Sequence, residues 1–192
     1  MLNVVLCGVG ALGSTTALFC RNLPASFRFI DFDRVESKNL LAQFFVKPSI
    51  GKNKAEALKL QWFNFWGVKA EATAVRVVEQ NLHALLSGAD LIVDCFDNFE
   101  SRALLSGYAK AQQKALVHAA IAGDGSFGMV RWDERFAPDR ENTAGEATCE
   151  GGEHLPLIGL VGAALARAVQ DFISTGARRD FNIARNGVAE LV

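Results

Sequence analysis

Apolar runs of strand-like length alternate along this chain with segments whose apolar positions recur at helical spacing. The strand-like runs cover 2–7, 27–32, 68–75, 91–96 and 115–121, and the helical segments cover 11–22, 53–66, 79–87, 99–112 and 156–175. This alternation is typical of βαβ units, and it predicts an α/β fold with a Rossmann-like, mostly parallel sheet and helices on both faces. Residues 125–132 predict a further, antiparallel strand towards the C-terminal part.

A polar stretch, residues 133–154, interrupts this rhythm before the last helical segment. It contains Pro138 and several glycines, so it predicts a long, mobile loop of the kind that often carries function. The segment 176–192 after the last helix contains three arginines and fits no clear element, so its role is not predicted. The chain is expected to form a single domain over residues 1–192.

Composition limits the partners that we expect for this domain. The chain has 192 residues, 50% of them hydrophobic, which is enough to bury a sizeable core in one soluble domain. Its 20 basic and 21 acidic side chains nearly cancel, so no overall field attracts nucleic acid or a membrane surface. Gly159, Gly162 and Arg167 interrupt the apolar stretch 155–169, so no run reaches the roughly 20 residues of a membrane span and a buried helix is expected.

The four cysteines, Cys7, Cys20, Cys95 and Cys149, lie far apart and form no Cys-x-x-Cys pair. This spacing argues against a zinc site and against a disulfide framework, so we expect no zinc and a cytoplasmic location. Cys149 lies in a polar, glycine-containing segment and is expected to be exposed, whereas the other three lie on apolar strands or within a helix. An exposed but nonessential thiol is the alternative interpretation of Cys149.

A glycine-rich loop joins the first predicted strand to the first predicted helix. Its glycines are Gly8, Gly10 and Gly13, and in this position they allow a tight turn and close approach of phosphates to the helix N-terminus. Asp31 ends the next strand, 18 residues after Gly13, where a carboxylate can accept hydrogen bonds from ribose hydroxyls. The two features predict a nucleotide site, which a nicotinamide dehydrogenase would share. Glycines that only allow a helix to pack closely on the sheet are the structural alternative.

Further motifs follow this site in a fixed order. Residues 31–43 read D-x-D-x-V-E-x-x-N-L-x-x-Q, Lys54 ends a G-x-x-K motif, and Asp97 lies in a D-x-x-D-N motif. Together they resemble the nucleotide site of a short, zinc-free member of the ThiF/MoeB/HesA superfamily, the bacterial relatives of ubiquitin-activating enzymes. The resemblance continues to T-C-E at 148–150 and P-L-I-G-L-V-G at 156–162, so it covers nearly the whole chain.

The resemblance implies an ATP- and magnesium-dependent adenylyltransferase. Such enzymes activate the C-terminal glycine of a ubiquitin-like or sulfur-carrier protein that ends in Gly-Gly. By resemblance, Lys54 contacts the triphosphate, Asp97 helps to hold Mg²⁺, Asn39 and Gln43 form part of the nucleotide pocket, and Asp31 takes the ribose. The reaction needs positive charge at the phosphates, such as that of Lys54 and Mg²⁺, because a carboxylate that attacks the α-phosphate brings two anions together.

The resemblance also implies a third catalytic residue and an assembly. In members that activate sulfur carriers, a cysteine in the region of Cys149 can bind the activated C-terminus of the carrier covalently. The family implies a homodimer, and a heterodimer is possible. His118 lies on a predicted strand, and we interpret it as a buried residue with a satisfied hydrogen bond rather than as a catalytic group.

Each predicted site residue has a structural alternative. Lys54 could be a solvated lysine at a helix start, which is slightly unfavourable without an anion nearby. Asp97 could be the N-cap of the helix 99–112, although Asn98 could take that role. Asn39 and Gln43 are four residues apart, and their alternative role is merely to bridge a turn of the chain.

One departure from the family pattern bears on activity. Many members have an arginine that contacts the phosphates where this chain has Ala42, so that charge would have to come from Lys38, Lys47 or Lys52. Two alternative functions follow. The chain could be a catalytically weakened ATP-binding scaffold or half of a heterodimeric activating enzyme, or it could adenylate a small molecule or peptide. A nicotinamide oxidoreductase fits less well, because it explains the glycines and Asp31 but not Lys54 and Asp97 together.

Overall fold

A computed structural model describes residues 1–137, 152–184 and 186–191. Its strands form one sheet in the order β3-β2-β1-β4-β5-β6-β7-β8. The strands are β1 Leu2–Cys7, β2 Ala25–Ile30, β3 Glu71–Thr73, β4 Leu91–Asp94, β5 Ala115–Ile121, β6 Phe127–Trp132, β7 Asp180–Ala184 and β8 Gly187–Leu191. The pairs from β3 to β5 are parallel and those from β5 to β8 are antiparallel, so the predicted α/β fold with an antiparallel extension is confirmed.

Helices cover both faces of this sheet. They are α1 Ala11–Cys20, α2 Lys54–Trp66, α3 Leu82–Leu86, α4 Phe99–Gln112 and α5 Leu155–Thr175, with 3-10 turns at Ser37–Leu41, Lys47–Ser49, Glu79–Asn81 and Asp133–Arg135. Strand β1 is buried on both sides: Val4 and Leu6 contribute to the core under α1, α2 and α5, and Val5 and Cys7 to the core under α3 and α4. Burial on both faces explains why this strand is a continuous apolar run.

Capping residues decide where the two helices next to the candidate site begin. Asn53 precedes α2 and accepts a hydrogen bond from the Glu56 N–H, and Asn98 precedes α4 and accepts one from the Ser101 N–H. The predicted helix 53–66 therefore begins one residue later than expected, because Asn53 is the N-cap. The predicted bounds of α4 and β5 are confirmed.

The C-terminal segment and the edge strands differ from the prediction. Strand β3 is shorter than the predicted run 68–75, because it pairs only with Arg28, Phe29 and Ile30 of β2. The unassigned segment after α5 forms the hairpin of β7 and β8, which extends the sheet beyond β6. The polar connection begins with the 3-10 turn Asp133–Arg135, and residues 138–151 lie outside the described residues.

Helix α5 has the length and apolar character of a membrane span, with 21 residues and a mean hydropathy of 1.4 in its most apolar window. The prediction that no run is long enough was therefore wrong on length. However, half of that window is buried inside the domain, where Val161 and Leu165 belong to the main core. A buried core helix, as predicted for this segment, has these same properties.

Candidate nucleotide site

The glycine loop between β1 and α1 needs glycine at two of its three positions. Gly8 has a φ of +82°, and a Cβ there would lie 3.0 Å from the carbonyl oxygen of Cys95. A Cβ on Gly13 would overlap the carbonyl oxygen of Gly8. Gly10 differs, because the nearest atom to a Cβ there is the Nε2 of Gln43, at 3.9 Å. Close packing thus accounts for Gly8 and Gly13, while a Cβ on Gly10 would make only an ordinary contact.

Gly10 lies at the N-terminus of α1. Gly10 is the N-cap, so no side chain accepts from the first turn of the helix, and no acidic residue lies in that turn. The N–H groups of a first helical turn have no partner within the helix and carry partial positive charge. The loop therefore has the backbone donors that a phosphate group requires.

Asp31 joins this loop to the end of β2. Its Oδ2 accepts a hydrogen bond from the Val9 N–H at 2.8 Å, and its Oδ1 accepts one from the Asp33 N–H at 2.9 Å. Burial raises the pKa of the Asp31 carboxyl, although both hydrogen bonds and the charge of Lys54 oppose that shift. Each carboxylate oxygen keeps a second lone pair, so Asp31 can shape the loop and still accept from a ribose hydroxyl.

Lys54 begins α2 and is not the solvated lysine of the structural alternative. Its side chain is only 10% exposed, and its Nζ lies 3.2 Å from the Oδ2 of Asp33. The amide of Asn53 donates to the carbonyl oxygens of Asp31 and Asp33 at 2.8 and 3.1 Å, which fixes the start of α2 to the end of β2. A cation is therefore held beside the residues that follow β2.

Asn39 and Gln43 have different roles. Asn39 is buried, and its Oδ1 accepts from the Glu36 N–H at 2.8 Å while its carbonyl oxygen accepts from the Gln43 N–H, so it bridges a turn as the alternative predicted. The Oε1 of Gln43 is buried without a hydrogen-bond partner. A buried polar atom without a partner is rare in proteins, and it indicates that a ligand or water completes this position. Gln43 thus fits a nucleotide pocket, and Asn39 supports it.

Asp97 is available to bind a ligand. Asn98 takes the capping role, while Asp97 is exposed and its Oδ1 lies 3.5 Å from the Nδ2 of Asn98. Magnesium is usually bound through one or two carboxylates together with phosphate oxygens and water. A single carboxylate therefore fits Mg²⁺ carried by a nucleotide, and the described residues contain no cluster of three or more metal-ligating side chains.

Arg102 was missed by the sequence reasoning. Its guanidinium donates to the carbonyl oxygens of Phe96 and Ala119, the latter at 3.0 Å, and lies 3.9 Å from the Oδ2 of Asp94. It therefore holds in place the turn that carries Asp97, residues 95–98 between β4 and α4, which we call the Asp97 turn. The signal was present, because Arg102 lies one helical turn after the N-cap of α4, where its side chain can reach back to the end of β4.

The remaining candidates are placed as follows. Ala42 is buried in the main core, so its side chain supplies nothing to the site. Lys47 and Lys52 are exposed, and Lys38 lies 3.7 Å from Glu36. His118 is buried with both ring nitrogens near carboxylates, so the predicted satisfied histidine is confirmed.

Cys149 lies outside the described residues, so its exposure stays a prediction. Among the cysteines that are described, burial raises the pKa of the Cys20 thiol to about 12 and also raises those of Cys7 and Cys95. Raised pKa values suppress the thiolate, which is the reactive form. None of these three is therefore an activated nucleophile, as their positions on strands and a helix predicted.

These side chains meet at one edge of the sheet. The glycine loop follows β1, Asp31 follows β2 and Asp97 follows β4, and the backbone of Gly8 packs against that of Cys95. The strand order reverses between β1 and β4, which is where open α/β sheets bind nucleotides. The fold therefore defines an α/β domain of the Rossmann type, with a candidate nucleotide site where such domains bind nucleotides.

The sequence matches the ThiF family over residues 1–182, and the chain belongs to that family. It is 33% identical over 123 residues to the SAMP-activating enzyme E1 of Haloferax volcanii, covering 62% of this chain and 45% of that protein. It is 30% identical over 134 residues to the sulfur carrier protein ThiS adenylyltransferase of Bacillus subtilis, covering 67% of this chain and 39% of that protein. The chain thus spans less than half the length of these curated relatives. The resemblance drawn from the motifs is confirmed.

Solved structures of Escherichia coli MccB share the fold. MccB with succinimide aligns with a TM-score of 0.80 at 18% identity, and MccB with ATP aligns with a TM-score of 0.78 at 18% identity. Each alignment covers 99% of this chain and 62–63% of the MccB chain. At this identity the likeness establishes the fold alone.

Proposed function

We propose that this chain is an ATP-dependent adenylyltransferase that activates the C-terminal carboxylate of a ubiquitin-like or sulfur-carrier protein. The observation that carries the proposal is the pairing of a candidate anion site with an exposed carboxylate at the same end of the sheet strands. The uncapped N-terminus of α1 and the half-buried pair of Lys54 with Asp33 lie on one side, and Asp97 lies on the other. Relatives named as adenylyltransferases share this domain. A hydride carrier would use neither Lys54 nor Asp97.

The roles of the residues follow from charge. The first-turn N–H groups of α1 and the ammonium of Lys54 bind phosphate oxygens, which offsets the repulsion between a carboxylate nucleophile and the triphosphate. Asp31 accepts from the ribose and holds the loop through the Val9 N–H. Asp97 would hold Mg²⁺, which supplies further positive charge on the phosphates when it is bound. The carboxylate attacks the α-phosphate, the bond to pyrophosphate breaks, and an acyl adenylate forms.

A later thiol step at Cys149 is the finer part of the proposal. A thiolate that attacks the acyl adenylate forms a thioester and releases AMP, so atoms balance without an oxidant. Three glutamates flank Cys149 in sequence and oppose thiolate formation, while His154 nearby in sequence favours it. Replacement Cys149→Ala is expected to leave adenylation intact and to abolish any thioester that hydroxylamine cleaves.

Exchange of labelled pyrophosphate into ATP tests the adenylation step. We expect exchange only when a carrier ending in Gly-Gly is present, and we expect Asp97→Ala to abolish it. Glu100→Ala is the matched control, because Glu100 is also an exposed acidic residue and lies three residues after Asp97, in the first turn of α4. Loss of exchange in both variants, or in neither, would contradict the role of Asp97.

A second candidate function rests on Ala42. Because this side chain is buried in the core, no arginine-like group reaches the phosphates from that position, and the chain could need a partner to supply the charge. Such a half-enzyme would bind ATP tightly and exchange pyrophosphate only after a second chain is added.

A peptide substrate is the other alternative. A short peptide that ends in a free carboxylate, used in place of the carrier in the same pyrophosphate-exchange assay, tests whether the chain adenylates peptides.

A further inference from the structure

His118 on β5 is held between two buried carboxylates. Its Nδ1 lies 2.7 Å from the Oδ2 of Asp94 on β4, and its Nε2 lies 3.1 Å from the Oδ1 of Asp133. The ring of Phe136 stacks on the imidazole with the ring centroids 3.9 Å apart. The side chains of His118 and Asp94 are completely buried from solvent, and that of Asp133 is almost completely buried. The geometry of this cluster, which we call the His118 triad, constrains its protonation.

Two protons are needed to make both contacts hydrogen bonds. A neutral imidazole has one N–H and can donate to one carboxylate only, so its other nitrogen would place a lone pair against an acceptor. The imidazolium ion has two N–H groups and can donate to both carboxyl oxygens. Loss of the second proton therefore breaks one buried hydrogen bond and places a nitrogen lone pair against a carboxylate oxygen, which is unfavourable in this environment.

Other charged groups also lie next to the triad. From α4, Arg102 lies 3.9 Å from Asp94, and Lys110 lies 3.6 Å from Asp133. From β6, Arg131 is paired in register with His118, but its guanidinium is bonded to Asn182 and to the Phe181 carbonyl. Each carboxylate that His118 contacts therefore also lies next to a cation of α4.

Each carboxylate also holds a piece of backbone. The Oδ1 of Asp94 accepts from the Phe96 N–H at 2.9 Å, in the turn that leads to Asp97. Asp133 begins the 3-10 turn Asp133–Arg135, which precedes the connection 138–151. The imidazolium therefore links the Asp97 turn to the turn at the end of β6 through one shared proton donor.

We propose that His118 is a positioning residue whose second proton keeps Asp94, and with it the Asp97 turn, in the arrangement that supports adenylation. The inference concerns regulation of the candidate site by pH, and its catalytic consequence rests on the proposed function. His118 does not touch a reacting group. Its action passes through Asp94 and the Phe96 N–H to Asp97.

The direction of titration agrees with this geometry. Burial alone would lower the pKa of His118, but its hydrogen bonds to Asp133 and Asp94, together with their charges, raise it above the ordinary value. The hydrogen bond from His118 correspondingly lowers the pKa of Asp133 against the effect of its burial. The second proton is therefore kept to a higher pH than in an ordinary histidine.

Nuclear magnetic resonance of the whole chain tests the link without any activity. The chain has three histidines, so their ring signals can be resolved and assigned during a pH titration. We expect His118 to titrate above about 6.5, the ordinary value for histidine, and the amide signals of Phe96 and Asp97 to move with the same midpoint. A midpoint at or below that value, or amides of the Asp97 turn that ignore it, would overturn the proposal.

A charge-removing variant sharpens this test. Asp133→Asn keeps an acceptor for Nε2 but removes a charge, so the midpoint of His118 should fall by about one pH unit or more. Glu134→Gln is the matched control, because it removes the same charge one residue along and its partner is Arg178 rather than His118. An equal shift in both variants would contradict a specific role of the triad.

The pH profile of pyrophosphate exchange supplies the catalytic readout. We expect the alkaline limb of kcat to move to lower pH in Asp133→Asn by the same amount as the midpoint, with the KM for ATP nearly unchanged. A midpoint that moves while the profile stays in place would show that His118 is only structural. If the wild-type chain exchanges no pyrophosphate with any carrier, the proposed function fails, while the titration still decides the link between His118 and the Asp97 turn.

Discussion

The candidate site has two sides that are built differently. The β2 side consists of the glycine loop, Asp31 and Lys54, and it is held by backbone packing and by hydrogen bonds to N–H groups. The β4 side consists of Asp94, Asp97, Arg102 and His118, and it is held by buried charges. Backbone packing is insensitive to pH, whereas the two contacts of His118 depend on the protonation of its ring. The comparison predicts that the two sides respond differently to substitution and to pH.

The largest difference is expected within the glycine loop. A methyl group at Gly13 collides with the Gly8 carbonyl, so Gly13→Ala should lower the free energy of unfolding by about 2 kcal/mol or more. Gly10→Ala meets only ordinary contacts and should cost less than about 1 kcal/mol while weakening ATP binding. Urea unfolding and calorimetric titration with ATP measure both quantities. Equal destabilisation by the two variants would show that the loop is not divided in this way.

On the β4 side, Arg102→Lys should act through the Asp97 turn. A lysine cannot reach both the Phe96 and Ala119 carbonyl oxygens, and each buried acceptor left without a donor costs about 1 to 3 kcal/mol. We expect lower stability and a fall in kcat for exchange, with a smaller change in the KM for ATP. An unchanged kcat in a folded variant would contradict this role of Arg102.

On the β2 side, Lys54→Met should act on binding. Removal of a charged donor to phosphate is expected to cost about 1.5 to 3 kcal/mol, which corresponds to a weakening of ATP binding of roughly 10- to 100-fold. Asp33 is half exposed and stays solvated without its partner, so the fold should survive. Lys59→Met is the control, because Lys59 lies on the same helix but pairs with Glu56. The same loss of affinity in the control would remove Lys54 from the site.

The smallest effect concerns stability against pH. The pKa of His118 is raised in the folded chain, so its contribution is complete below the unfolded value of about 6.5 and is lost as the pH rises through the folded value. Urea unfolding between about pH 6 and 8, below the range in which unfolded cysteines ionise, should show stability that falls with pH. His118→Gln should flatten that slope. A slope that persists in the variant would assign it to another group.

The sequence predicted the β2 side better than the β4 side, for a physical reason. The glycine loop, Asp31 and Lys54 depend on local geometry at strand ends and helix starts, which short motifs encode. The triad depends on carboxylates that lie 24 and 15 residues from His118 and meet it only when β4, β5 and β6 pair. Such contacts have no local signature, so the sequence indicated a satisfied histidine but not its partners.

The same reasoning explains the errors in the fold. The start of α4 was predicted correctly, with Asn98 named as a possible cap, whereas α2 was predicted to begin one residue early because Asn53 was not identified as its N-cap. The hairpin of β7 and β8 was not predicted, because β8 is exposed along its whole length and therefore carries no alternation of apolar and polar residues. Edge elements that bury little give the weakest pattern.

The most direct test of the account uses one carrier protein in two forms. A Gly-Gly-ended carrier with a free C-terminal carboxylate should support exchange of labelled pyrophosphate into ATP, because the carboxylate is the nucleophile at the α-phosphate. The same carrier with its C-terminus blocked as an amide should support none. Exchange that is equal with both forms, or is absent with carriers of the free form while ATP still binds, would contradict the proposed adenylation of a carrier C-terminus.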